Sequence, residues 1–256
     1  EGVLFSGDAF GAFGSLQNGI MDVDADMALV TDEMYRYYSN IVGKYGGPVE
    51  KAIEKLSSLP INYICSTHGP IWHEKIGYVV ENYLKMARYE SEEGVVIAYG
   101  SMYGHTADLA KNIYNSLIEA GIKNVVIHDL SDVDASFVLR DVFKYNTLIL
   151  GSPTYNSEIF PKVADLTVKL EGRLIKNKTF SCFGSYSWAG QAVKRLTAFA
   201  ERMQWNIVDP KIEIKQAGLN VDVKALRAKA DAGELLMPAL IPSEVYEQSG
   251  RRTIRA

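Results

Sequence analysis

The sequence predicts an α/β protein whose larger part is a doubly wound, five-stranded parallel sheet, and three observations predict it. From about residue 94 onward, β-branched apolar runs alternate with amphipathic helical stretches. Small, hydroxyl and aromatic residues gather in the segments that leave the first, third and fourth of those runs. Just before them the acidic, helical "ARYESEE" gives way to "GVVIAYG", which sets a domain boundary near Glu93 and divides the chain into residues 1–93, 94–238 and a tail, 239–256.

Composition bounds the alternatives. The 256 residues, 47% hydrophobic and 23% charged, suit one large or two ordinary globular domains with a real core. No stretch approaches the roughly 20 apolar residues of a membrane helix, and an acidic opening residue followed at once by an apolar run is unlike a signal sequence, so a cytoplasmic protein is expected. Cys65 and Cys182 each lie in an apolar, strand-like run and form no CxxC pair, which fits a reducing compartment. The net charge of −4 is uneven, with 14 acids and 7 bases before residue 94 and 17 acids and 20 bases after it. Neither part carries the basic stripe that nucleic-acid binding requires.

The elements follow in order. A short apolar run leads into "SGDAFG", where glycines let the chain turn closely and leave the Asp8 carboxylate at a strand end. The run Ile61–Ser66 leads to "HGP", a stiff turn that presents His68. Carboxylate and imidazole suit iron or zinc, although an Asp beside Gly is also an ordinary turn residue and a single His an ordinary hydrogen-bonded one. His73 opens the next helix and is structural, and Trp72 packs beneath the site. Strands are expected at Val95–Tyr99, Val125–His128, Thr147–Leu150, Thr179–Phe183 and Lys211–Lys215. Helices are expected at His105–Ala120, where Leu109, Ala110, Ile113 and Leu117 share a face, and at Lys162–Leu170, Gln191–Met203 and Val221–Leu236. Strands alternating with helices imply a parallel sheet covered on both faces, with its ligand beyond the carboxyl ends of the strands.

Three loops lie at those ends. "YGSMYGHTADLA" contributes Ser101, Met102, Tyr103, Gly104, His105 and Thr106 at a helix start, where backbone N–H groups and two hydroxyls can surround an anion. It lacks the lysine of a triphosphatase loop and the GxGxxG of a dinucleotide site. Its Ser and Thr can equally be helix caps. "LGSPTYNSEIFP" contributes Ser152, Pro153, Thr154, Tyr155 and Asn156, and "FGSYSWAGQAVKRL" contributes Ser185, Tyr186, Ser187, Trp188 and Gly190. Tyr155, Tyr186 and Trp188 can stack on a flat ring, with a protein contact as the alternative for Tyr186. Together the loops describe a pocket for a phosphate at one end and a planar heterocycle at the other, and flavin mononucleotide (FMN) fits it.

With these motifs, residues 94 to about 238 resemble a flavodoxin domain, and "LFSGDAFG" with "YICSTHGPIW" resembles the closing part of the metallo-β-lactamase-like αββα domain of flavodiiron proteins, a family that joins these two domains in this order. The resemblance implies a flavodoxin-like sheet order and electrons entering at FMN from a separate donor, a rubredoxin-like protein or reduced deazaflavin. It further implies a centre of two iron ions that reduces dioxygen to water or nitric oxide to nitrous oxide, with Asp8 bridging the irons and His68 ligating one. A head-to-tail homodimer, bringing the flavin of one subunit to the metals of another, is implied as well. The family's early HxExDH motif is absent, so most metal ligands are expected on a missing N-terminal half, lost or supplied as a companion chain. A half domain of this kind would leave a sheet face and strand edge exposed. The other readings are an FMN electron carrier without a working metal site, and a β-lactamase-like hydrolase, which would have no use for a flavin. No fused donor module is expected after "MPALIPSEVYEQSGRRTIRA", and Arg251, Arg252 and Arg255 are expected to make either an acidic-partner surface or a solvated end.

Overall fold

The computed structural model describes residues 2–215; the helix expected at Val221–Leu236 and the tail 239–256 lie outside them. The chain divides into two compact units. Among the described residues, one comprises those up to Glu92 together with Ser136–Lys144 and Gly172–Ile175; the other comprises Glu93–Ala135, Tyr145–Glu171 and residues 176–215.

The first unit holds a two-stranded parallel sheet, β1 (Val3–Gly7) beside β2 (Tyr63–Ser66), in register from Val3 opposite Tyr63. Its helices are α1 (Met27–Tyr37), α2 (Gly46–Leu56) and α3 (Ile76–Ala87). Asp26 starts α1 by accepting hydrogen bonds from the N–H groups of Ala28 and Leu29 at 3.0 and 3.3 Å, the ordinary work of an N-cap. In α3, Val79, Tyr83 and Met86 recur at helical spacing and are buried against a core that contains Met34, Tyr38 and Trp72. Trp72 is fully buried and its indole N–H donates to the Phe10 carbonyl at 2.9 Å, the packing role expected of it. The helix after it begins later than expected. Asp22 Oδ2 accepts from the backbone N–H groups of His73 and Lys75, at 3.0 and 2.7 Å, and holds that segment outside the helix. His73 instead stacks on Tyr63, ring centroids 4.2 Å apart. On β1, Phe5 is 82% exposed and Val3 47%, so an apolar strand face is left open.

The second unit is the parallel sheet. Its strands are β3 (Glu92–Tyr99), β4 (Val125–Asp129), β5 (Tyr145–Tyr155), β6 (Glu158–Ile159), β7 (Thr179–Tyr186), β8 (Asn206–Ile207) and β9 (Ile212–Lys215), in the order β4-β3-β5-β7-β8, with β6 pairing β5 and β9 pairing β7. The pairs β3–β4, β5–β7 and β7–β9 are parallel. This is the flavodoxin-like order, and all five expected strands are present. Two run further than expected at their carboxyl ends. β5 continues through Tyr155 because Asn156 and Ser157, both at positive φ, turn it back as a hairpin onto β6. β7 continues to Tyr186 because β9 pairs with it as far as Lys215.

Helices α4 (His105–Glu119), α6 (Pro161–Gly172) and α7 (Ala192–Arg202) match three of the expected helices closely. The α4 face foreseen from spacing, Leu109, Ala110, Ile113 and Leu117, packs on Val95, Ile97, Ile149 and Phe183. Each of the leucine and isoleucine side chains contributes roughly 1.5–3 kcal/mol by leaving water. The opposite side holds Phe180, Phe199 and Trp205 with centroids 5.4–6.1 Å apart. Helix α5 (Ala135–Lys144), which apart from Ala135 belongs to the first unit, was not foreseen, although Val138, Leu139 and Val142 mark its buried face.

Candidate flavin site

The carboxyl ends of β3, β5 and β7 open on a cleft of about 250 Å³. Its lining takes Met102, Tyr103, His105 and Thr106 from the first loop, Pro153, Thr154, Tyr155 and Asn156 from the second, and Ser185, Tyr186, Ser187 and Trp188 from the third. The three segments thus converge on one concavity. Four other residues singled out in sequence do not line it. Ser152 is fully buried and shapes the chain, its hydroxyl accepting from the Phe160 N–H at 2.9 Å and donating to the Pro153 carbonyl at 2.9 Å. Ser101 accepts from the Ala107 N–H at 3.3 Å, as a helix cap. Gly104 supplies the φ of +91° that turns the loop into α4, and Gly190 backs the third loop.

The hydroxyls are divided between two tasks. Thr106 Oγ1 and Ser185 Oγ lie 2.9 Å apart and buried, so one O–H bonds the other and a single hydroxyl hydrogen is left for another acceptor. Thr154 Oγ1 accepts from the N–H groups of Gln191 and Ala192, at 3.0 and 3.1 Å, and caps α7. Among the described residues no lysine or arginine lines the cleft, so an anion there would meet neutral donors and the first-turn N–H groups of α4, which have no intrahelical partner. The aromatics stand open: Trp188 is 94% exposed and Tyr103 81%, while Tyr155 meets Phe160 edge-on at 6.2 Å. Backbone donors at one end and uncovered aromatic faces at the other fit a flat, phosphorylated ring.

In the first unit, Asp8 and His68 follow the ends of β1 and β2, which pair in parallel and so bring the two turns together. His68 Nε2 lies 4.0 Å from Asp8 Oδ1, and both side chains are more than half exposed. Thr67 donates to Asp8 Oδ1 at 3.1 Å, and Tyr37 hydrogen-bonds the same carboxylate; burial first, and then Asp8, push the Tyr37 hydroxyl up to about 12. Neither partner was foreseen, since only the fold brings α1 and the residue before His68 to Asp8. Among the described residues no group of three or more His, Cys, Asp or Glu could hold a metal ion. Two exposed donors do not fit a diiron centre held by this chain alone. A larger, more open hollow of about 600 Å³ lies on α1, but its charges are engaged, Lys144 with Asp32 at 3.0 Å and Lys75 with the Asp22 carbonyl at 3.3 Å.

Sheet order and cleft define a doubly wound α/β domain with its binding site at the carboxyl ends of the central strands. Residues 97–229 match the flavodoxin family model. The chain is 32% identical over 201 residues to an anaerobic nitric oxide reductase flavorubredoxin of Vibrio vulnificus, covering 77% of this chain and 40% of that one. A rubredoxin oxygen:oxidoreductase structure from Desulfovibrio gigas superposes with a TM-score of 0.82 at 25% identity, covering 98% of this chain and 61% of that one. A flavo di-iron protein from Thermotoga maritima does so at 0.76 and 28% identity, covering 94% and 59%. The chain belongs to the flavodoxin family, and its likeness to flavodiiron proteins runs through both units. It spans about half the length of the curated relatives it matches. Among the described residues no helix is long and apolar enough to cross a membrane.

Proposed function

We propose that this chain binds FMN in the cleft and serves as the electron-entry part of a flavodiiron oxidoreductase that reduces dioxygen or nitric oxide. The observation that carries the reading is the convergence of three strand-end segments on one cleft with donors at one end and exposed aromatics at the other. In this reading the first turn of α4 and the Thr106–Ser185 pair hold the phosphate, and Tyr155 and Trp188 cover the ring. The bound flavin supplies the capacity to take up and release electrons singly or in pairs. The chain's own residues fix its position and exclude water from its faces. Relatives named for rubredoxin and for nitric oxide support a rubredoxin-type donor and these small gaseous substrates. A reduced deazaflavin is the other donor, and a head-to-tail dimer the proposed assembly.

Asp8 and His68 are proposed as the share of a diiron ligand set that this chain contributes, the rest coming from polypeptide it does not include, in line with its partial coverage of its relatives. The absence of a third donor among the described residues favours a second reading for the chain by itself, an FMN electron carrier. Absorption spectroscopy with metal analysis of the purified chain separates them. Flavin bands without stoichiometric iron are expected of the chain alone, and two irons when a companion fragment is supplied. A chain that retains no flavin refutes both readings.

A further inference from the structure

We propose that Glu213 is a positioning residue for the cleft, its carboxylate reaching from β9 to fix the loop 187–190 that carries Trp188. The inference rests on the flavin reading for its consequence but not for its geometry. Helix α7 begins without a cap of its own: Gln191 at its start makes no side-chain bond to the helix. Its free N–H groups are met from two other strands. Thr154 at the end of β5 accepts from Gln191 and Ala192, and Glu213 Oε1 accepts from Val193 at 3.4 Å. An anionic carboxylate is favoured at that helix end.

The strand alternation explains how Glu213 gets there. Ile212 and Ile214 on either side are buried in the core cluster with α4, so Glu213 faces the opposite side, where α7 lies. It pairs in register with Gly184 of β7, the strand from which the loop departs. Its second oxygen lies against Gly190, where any Cβ would overlap the carboxylate. Burial raises the Glu213 carboxyl above its ordinary value, and the Val193 N–H works against that rise. Glu213 therefore touches both sides of the junction between loop and helix: the last glycine of the loop and the first turn of α7. A loop pinned at that end presents Trp188 already placed, and one released there must be ordered when a ligand arrives.

The test uses the full chain, FMN titration of the flavin-free protein and amide hydrogen exchange across residues 187–193. Glu213→Ala is expected to weaken FMN about tenfold, the scale of a lost charged hydrogen bond, and to speed exchange at Val193. Glu213→Gln, which keeps an acceptor of the same shape, is expected to stay within about threefold of the native affinity. Gly190→Ala should weaken FMN in the native background and cost nothing further beside Glu213→Ala, because the overlap has gone. Native affinity and native exchange in Glu213→Ala, or fully additive effects of the two substitutions, would overturn the inference. If Glu213→Ala does not fold, Glu213→Asp, with its carboxylate withdrawn, carries the same comparison. If the native chain binds no FMN, the flavin reading falls, and unchanged exchange in Glu213→Ala then decides against the positioning role separately.

Discussion

Trp188→Ala gives the sharpest test of the cleft, because the structure separates its effect on folding from its effect on binding. The side chain is 94% exposed, so truncating it removes almost no burial, and the melting temperature of the flavin-free chain should be unchanged within the roughly 0.5 kcal/mol of a surface substitution. Stacking of a heterocycle on an aromatic side chain is worth about 1–3 kcal/mol by alanine replacement. That corresponds to a loss of FMN affinity of roughly 5- to 150-fold. Tyr155 is a less clean probe, since its edge-on contact with Phe160 at 6.2 Å contributes to the hairpin itself. Tyr155→Ala should lower the melting temperature as well as the affinity, by the roughly 0.5–1.5 kcal/mol of an aromatic pair. The assay is quenching of FMN fluorescence on titration into flavin-free protein, alongside a thermal melt. A Trp188→Ala chain with native melting and native FMN affinity would refute the assignment of this face to the ring.

Two further outcomes concern stability. Lys178 is buried, donates to the Tyr145 carbonyl at 2.7 Å, and is pushed by burial from an ordinary 10.5 down to about 7. Between those values the unfolded chain binds the extra proton, so stability rises with pH across that window, by up to about 1.4 kcal/mol per pH unit, and is lost as pH falls toward 7. Lys178→Met should flatten the rise in urea unfolding measured at pH 7, 8 and 9; parallel curves for the two proteins would count against it. Ser152→Ala leaves the Phe160 N–H without the hydroxyl that now accepts from it, and should cost about 1–3 kcal/mol in the same unfolding assay, where an unchanged midpoint would show that bond to be dispensable.

The architecture was legible in sequence where one periodicity dominates. The α4 face of Leu109, Ala110, Ile113 and Leu117 is apolar at helical spacing and is buried as read. The strands were legible in their interiors but not at their carboxyl ends, where apolar runs stop and pairing continues. Tyr155 belongs to a strand because Asn156 and Ser157 tolerate the left-handed turn back to Glu158, and Tyr186 because Lys215 lies opposite it. Helix α5 escaped because Asp134 through Lys144 carries Arg140 and Asp141 within its apolar pattern; the two side chains pair at 2.7 Å, so the buried Asp141 is compensated. The late start of α3 was invisible because its cause, Asp22, lies some fifty residues earlier.

The same distance effect decides how the site itself is built. Sequence reveals that Ser101, Thr106, Ser152, Thr154 and Ser185 cluster near strand ends, and any of them can serve a ligand or a backbone. The fold commits Ser152 to Phe160, Thr154 to the start of α7 and Ser101 to Ala107, leaving the buried Thr106–Ser185 pair with one hydroxyl hydrogen to offer. Most of the hydroxyls therefore position the loops instead of contacting what lies between them. In the proposed flavin reading a cleft organised in this way relies on backbone donors and aromatic faces for its ligand, so substitutions at Ser152 or Thr154 should act through loop order. Substitution at Trp188, which is almost fully exposed, should act on the ligand directly.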